Sequence, residues 1–236
     1  MSDSSPSSKK IRAFHYPAES FRKPRPEAEL PVPSWSELED RYGLKGITLE
    51  IGCGVGLHPI QACLKDPTHY RIAVEHTAEK FSKFRSRLAS HRNAGKPLDN
   101  LLALHGNVIE FVARCTPEDR PVFGQIDLMY PNPNWKAKLA SQRWFRMPFM
   151  GRLLQSLHEE GTIRVVSNLE EYVQEAELFA TKEWGLQSVS REVYSLAEKK
   201  LPPGFETLGG RTHFEIKYLA SGQDCHERVF RKLSKT

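Results

Sequence analysis

Glu50-Ile51-Gly52-Cys53-Gly54-Val55-Gly56 is the stretch on which the fold of this chain turns. It follows the short apolar run Ile47-Thr48-Leu49-Glu50-Ile51 and precedes residues 57–65, which can form a helix. Glycine permits positive φ and lets a ligand approach the backbone closely. Three glycines alone are weak evidence; their position between a predicted strand and a predicted helix strengthens it. Dinucleotide loops space their glycines G-x-G-x-x-G and aim the helix N-terminus at a pyrophosphate. Here the third glycine, Gly56, comes one residue earlier, Leu57 takes the place of the last dinucleotide glycine, and Glu50 stands just before the loop.

Outward from the loop, strands and helices alternate. Residues 70–75 read as a second strand, and residues 77–93 as a basic amphipathic helix with Phe81, Phe84 and Leu88 at helical spacing. Residues 101–104, 125–130 and 162–166 read as further strands, with helices over 108–114, 148–157 and 170–183. This spacing predicts βαβ units and a parallel sheet. Residues 186–196 and 212–220 read as two more strands with no helix between them, paired antiparallel through the Pro/Gly-rich stretch 202–210. The expected fold class is therefore α/β: a Rossmann-like, mostly parallel sheet with a C-terminal antiparallel hairpin.

Residues 1–34 are rich in Ser, Pro and charge and lack any period, which predicts a flexible basic arm; residues 35–236 form the expected domain. A short helix begins at Trp35, with Ser34 as its cap. The formal net charge is +5, and Lys9-Lys10-Ile11-Arg12 and Arg22-Lys23-Pro24-Arg25 are two early basic clusters that hold six of the 34 lysines and arginines. Such clusters fit phosphate contacts and a solvated tail equally well. No apolar run approaches a membrane span and the N-terminus has no signal-like apolar region, so a cytoplasmic protein with no membrane partner is expected. The four cysteines, Cys53, Cys63, Cys115 and Cys225, are scattered with no zinc spacing, which predicts reduced thiols and no metal.

Ligands of open α/β sheets bind at the carboxyl ends of the strands. Glu75 ends the second strand, where a carboxylate can accept from ribose hydroxyls. Asn107 follows the third and can accept from an adenine amino group, cap the next helix, or both. The fourth ends in Tyr130-Pro131-Asn132-Pro133-Asn134-Trp135-Lys136. There the prolines stiffen the loop, amides can bond a heteroaromatic edge, and Tyr130 or Trp135 can stack on a ring.

The glycine loop behind Glu50 resembles the cofactor loop of class I methyltransferases. Taken with the later motifs, the chain from about Leu49 to Lys217 is similar to the tRNA (guanine-N7) methyltransferase family. Glu50–Gly56 match its E-I-G-x-G-x-G loop, and Glu75-His76 loosely match its E-x-H-like strand end. Pro131-Asn132-Pro133-Asn134-Trp135-Lys136 partly match P-D-P-W-x-K, and Arg143 with Pro148-Phe149 match the basic segment that follows. Thr212-His213-Phe214-Glu215-Ile216-Lys217 match T-x-F-E-x-[KR] fully. Three family acids are replaced by Asn107, Asn132 and Asn168; Asn134 displaces the hallmark Trp by one place, and the basic cluster thins to Gln142-Arg143.

The resemblance implies S-adenosylmethionine as cofactor, with Glu50, Gly52, Gly54, Gly56, Glu75, His76, Asn107 and Tyr130 around it. Asn132 and Asn168 are expected to orient the methyl-accepting ring, and Asn134, Trp135, Lys136, Thr212 and Glu215 to bind substrate. Asn both donates and accepts where Asp only accepts, and it counters a cationic product less well. These substrate-side changes favour N-methylation of a small guanine-like fused heteroaromatic, of purine, pteridine or triazine type. The alternatives are tRNA guanine-N7 methylation and an inactive relative that binds nucleic acid.

Overall fold

The computed structural model describes residues 33–234, so the expected basic arm lies outside the described residues apart from its last two positions. After α1 (Trp35–Tyr42) come β1 (Ile47–Ile51), α2 (Leu57–Lys65), β2 (Tyr70–Glu75), α3 (Ala78–Asn93), β3 (Leu101–His105) and α4 (Val108–Cys115). Then follow β4 (Phe123–Met129), α5 (Met150–Ser156), β5 (Leu157–Ser167), α6 (Glu170–Lys182) and β6 (Gln187–Tyr194). The last described elements are α7 (Phe205–Leu208), α8 (His213–Ala220) and β7 (Cys225–Arg231). Ser34 occupies the N-cap position of α1 without a side-chain capping bond.

The seven strands among the described residues lie in the order β3-β2-β1-β4-β5-β7-β6. The first five are parallel, and β7 runs antiparallel to both β5 and β6. Every residue of β1 is buried, as suits a central parallel strand covered on both faces. Adjacent residues of β2 reach different clusters. Ile72 and Val74 join a large core with Phe111 of α4, Leu153 of α5 and Val173 of α6, whereas Ala73 meets Ile60 of α2 and Phe84 of α3. Since side chains alternate along a strand, the two clusters occupy opposite faces of the sheet.

The tail departs from the expected hairpin. Residues 212–220 are not a strand: Thr212 caps α8, its hydroxyl accepting from the Glu215 N–H at 3.0 Å. The partner of β6 is instead β7, inserted between β5 and β6 after two helices. The sheet class is as expected; its last connection is not a hairpin.

Candidate active site

The loop after β1 turns through glycines in left-handed conformations, with φ of 71°, 61° and 77° at Gly52, Gly54 and Gly56. Their reasons differ. A side chain on Gly56 would collide with the Phe84 ring, so this glycine lets α3 close on the loop. Side chains on Gly52 and Gly54 would meet nothing within 4 Å, so those glycines serve backbone conformation beside open space. Glu75 ties the loop to β2: one carboxylate oxygen accepts from Gly54 N–H at 2.8 Å and the other from Thr77 N–H at 2.7 Å. Each oxygen keeps lone pairs for a further donor.

Glu50 belongs to a polar row across the sheet. Glu50 and Asp127 are register partners on β1 and β4, and Asp127 pairs with Arg164 of β5. Arg71 bonds Glu50 at 3.2 Å and Asp127 at 2.6 Å, and His58 Nδ1 lies 2.9 Å from Glu50. Burial alone would raise the Asp127 carboxyl, but Arg164 and Arg71 hold it below the usual carboxylate range. Glu50, His58 and Asp127 could together ligate a cation, but the Arg71 guanidinium already bridges the two carboxylates.

A cavity of about 540 Å³ opens beside the loop. Gly52 and Glu75 line one part; Tyr130, Pro131, Asn132, Pro133 and Trp135 from the loop after β4 line another. Ser167, Asn168 and Leu169 after β5, Lys80 of α3, and Phe214 and Tyr218 of α8 complete much of the wall. Tyr130 is turned into the left-handed region, φ 55°, and its hydroxyl donates to Glu215 at 3.1 Å. Burial, then Glu215, keeps that hydroxyl well above its ordinary pKa. Its ring lies 5.6 Å from Tyr218 and 6.3 Å from Phe214, which makes an aromatic wall. Arg143 anchors the loop by donating to the Pro133 carbonyl at 2.9 Å while pairing with Glu175 of α6.

The structure thus brings Gly52, Glu75, Tyr130, Asn132, Trp135 and Asn168 to one cavity. Glu50, Gly54 and Thr212 line a smaller one of about 80 Å³ that shares Gly52, Met129, Lys80 and Phe214 with it. The other expected site residues lie off both walls. Asn107 caps α4, accepting from Ile109 N–H at 2.9 Å. His76 and Lys136 are exposed, and Asn134 donates to the Gln142 carbonyl. Glu215 is fully buried behind Tyr130, bonded by Arg211. Residues not anticipated are Lys80, Trp144, Ser167, Leu169, Phe214 and Tyr218 on the wall, and the Arg71–Asp127 support behind Glu50. The Phe214–Tyr218 spacing, one helical turn, would have revealed the aromatic wall had residues 212–220 been read as a helix.

The groups around the loop fit a nucleoside-type cofactor: open glycine backbone, and a carboxylate with free lone pairs at the neighbouring strand end. Sheet order, glycine loop and cavity at the strand ends together define the class I methyltransferase architecture. The family model described as "Putative methyltransferase" matches residues 45–228, and the chain belongs to that family.

Among curated relatives, the chain is 27% identical to the tRNA (guanine-N(7)-)-methyltransferase of Rhodopseudomonas palustris (strain BisB18), over 63% of this chain and 57% of that protein. It is 27% identical to the protein of the same name from Bartonella henselae (strain ATCC 49882 / DSM 28221 / CCUG 30454 / Houston 1), over 76% of this chain and 72% of the relative. The chain spans less than two thirds of the length of the Rhodopseudomonas relative. Among solved structures, the 16S rRNA methyltransferase KamB superposes with a TM-score of 0.60 at 17% identity, covering 85% of this chain and 93% of that one. The antibiotic-resistance methyltransferase Kmr gives 0.56 at 16% identity, covering 86% of this chain and 94% of that one. At these identities the structures speak to fold alone. No helix among the described residues is long and apolar enough to cross a membrane.

Proposed function

We propose that this chain transfers a methyl group from S-adenosylmethionine to N7 of a guanine in tRNA. The observation that carries the reading is the cavity in which the glycine-loop wall, Gly52 and Glu75, faces two amide-bearing loops, Asn132 and Asn168. The named relatives support tRNA over the small fused heteroaromatic that the acid-to-amide changes favour. Nothing in the comparisons supports the small-molecule substrate.

The cofactor, when bound, supplies an electrophilic sulfonium methyl. In this reading Glu75 would accept from ribose hydroxyls, and the Gly52 backbone, open on one side, would pass the cofactor's methionine part. The guanine N7 lone pair lies in the ring plane and needs no general base. The protein's task is therefore alignment: the aromatic wall and Trp135 offer stacking faces, while Asn132 and Asn168 fix the ring's rotation. A well-oriented pair of reactants accounts for a large share of the rate without any proton transfer.

The test is to incubate the protein with cofactor labelled in its methyl group, an unmodified tRNA transcript, and a panel of free purines and pteridines. Label in tRNA, recovered as 7-methylguanosine on digestion, is expected. Label in a small heteroaromatic, with none in tRNA, would overturn the reading.

A further inference from the structure

We infer that Gln223 and Ser221 are positioning residues that lock the polarity of the Asn168 amide, so that a ring in the cavity meets an acceptor at Asn168 and a donor at Asn132. The inference rests on the proposal that this cavity holds the methyl-accepting ring.

The locking is a chain of hydrogen bonds whose direction chemistry determines. Ser221 Oγ lies 2.8 Å from the Tyr218 carbonyl oxygen, at the end of α8. A carbonyl only accepts, so the one hydroxyl proton goes there. Ser221 Oγ must then accept from Gln223, 3.1 Å away, which turns the Gln223 NH₂ toward Ser221. The Gln223 carbonyl oxygen is left facing Asn168 at 2.8 Å, and it too only accepts. The Asn168 NH₂ is consumed, and its Oδ1 has no partner among the described residues. The Gln223 backbone N–H also bonds the Tyr218 carbonyl, at 3.0 Å, which holds the relay in place.

Asn132 is locked in the opposite sense. Its Oδ1 accepts from the Asn134 backbone N–H at 3.1 Å. A backbone N–H only donates, so this amide cannot be reversed. Its Nδ2 has no partner among the described residues. Both residues line the same cavity. The two amides therefore offer the cavity one donor and one acceptor, set by different loops. Guanine presents the complement: O6 accepts, and the adjoining N1–H and N2 amino group donate, while N7 stays free for the methyl group. Carboxylates at both positions would offer acceptors only.

The relay residues are exposed, so they can be changed with little risk to folding. The experiment measures kcat and KM for methylation of a tRNA transcript, with cofactor binding and thermal melting as controls. Gln223→Glu still accepts from Asn168 and is expected to retain most of the activity. Gln223→Lys can only donate, so it reverses Asn168 and should lower kcat/KM about tenfold, as a mismatched polar contact does. Adding Asn168→Asp to Gln223→Lys should restore most of that loss, because a carboxylate accepts from lysine and still accepts from the ring. Asn132→Asp, which turns the donor into an acceptor, should also lose about tenfold. Equal activities for Gln223→Glu and Gln223→Lys, or no rescue by Asn168→Asp, would overturn the inference and leave the proposed function standing. Unchanged tRNA methylation in Asn132→Ala and Asn168→Ala would instead overturn the reading of the cavity, and the inference with it.

Discussion

Arg71→Met removes the cation that lies between two buried carboxylates. Glu50 and Asp127 are 1% and 0% exposed, and Arg71 bonds them at 3.2 and 2.6 Å. Taking one partner from a buried ion pair typically costs about 3–5 kcal/mol. Arg164, 3.9 Å from Asp127, offsets part of this and places the expectation near the lower end, about 3 kcal/mol at pH 8. The loss should depend on pH in a definite sense. In the intact protein Asp127 has a depressed pKa, so its contribution is present above the unfolded carboxylate value and is lost as pH falls through the lower folded value. In the variant, Asp127 keeps its burial but loses one of the two arginines that hold its carboxyl down, so it should take up a proton on folding. The folded state then binds more protons than the unfolded, and variant stability falls as pH rises, by about 1.4 kcal/mol per pH unit for one proton. Urea unfolding of both proteins at pH 5.5, 7 and 8 measures this. The difference between them should shrink toward acid. A difference constant with pH, or below about 1 kcal/mol throughout, would refute the reasoning.

Glu75→Gln keeps the size but removes the charge and turns one accepting oxygen into an NH₂ that faces the Gly54 or Thr77 N–H; calorimetry should show S-adenosylmethionine binding weakened at least about tenfold, with no NAD binding by either protein. Gly56→Ala puts a methyl group into the Phe84 ring at φ 77°, and should destabilise by about 2–4 kcal/mol in denaturant unfolding. Burial, Glu50 and Glu75 all raise the Cys53 thiol, so iodoacetamide at pH 8 should label it at least about tenfold more slowly than free cysteine. Neutralising Lys9, Lys10, Arg12, Arg22, Lys23 and Arg25 should weaken tRNA binding and flatten its salt dependence, read by titration at several salt concentrations.

The first half of the fold was legible because local signals and tertiary demands agree there. The apolar run 47–51 and the helix 57–65 have the bounds expected, since a strand buried on both faces must be apolar and the glycines punctuate it. The tail misled for a physical reason. Phe214, Ile216 and Tyr218 alternate like a strand, yet Thr212 and Glu215 form the first half of a capping box, and the helix prevailed. The true strand, Cys225–Arg231, carries no plain apolar pattern, because Glu227 and Arg228 are buried within it. Arg211 pairs with the first and Glu177 with the second, partners distant in sequence. Of the residues that end or follow a strand, Glu75, Asn132 and Asn168 reach the cavity, whereas Asn107 turns back to cap α4. The Arg71 bridge and the Gln223 relay were not legible, because each depends on registers between segments that the sequence does not place side by side.

The insertion of β7 between β5 and β6 has a consequence for how the chain assembles. Of the seven described strands, the last in sequence lies inside the sheet, and among them β6 has no neighbour except β7. During synthesis β6 emerges with none of these strands to pair to, and β5 keeps an open edge, until Cys225–Arg231 arrives. Unpaired strand edges invite association with other chains. A polypeptide cut short between β6 and β7 therefore holds the whole glycine loop but leaves β5 with an open edge and β6 unpaired on both sides, a species suited to aggregation rather than to slow activity. Completion of the sheet is a late, long-range event, and refolding rate should respond more to changes in β7 than to equal changes in β3 at the opposite edge.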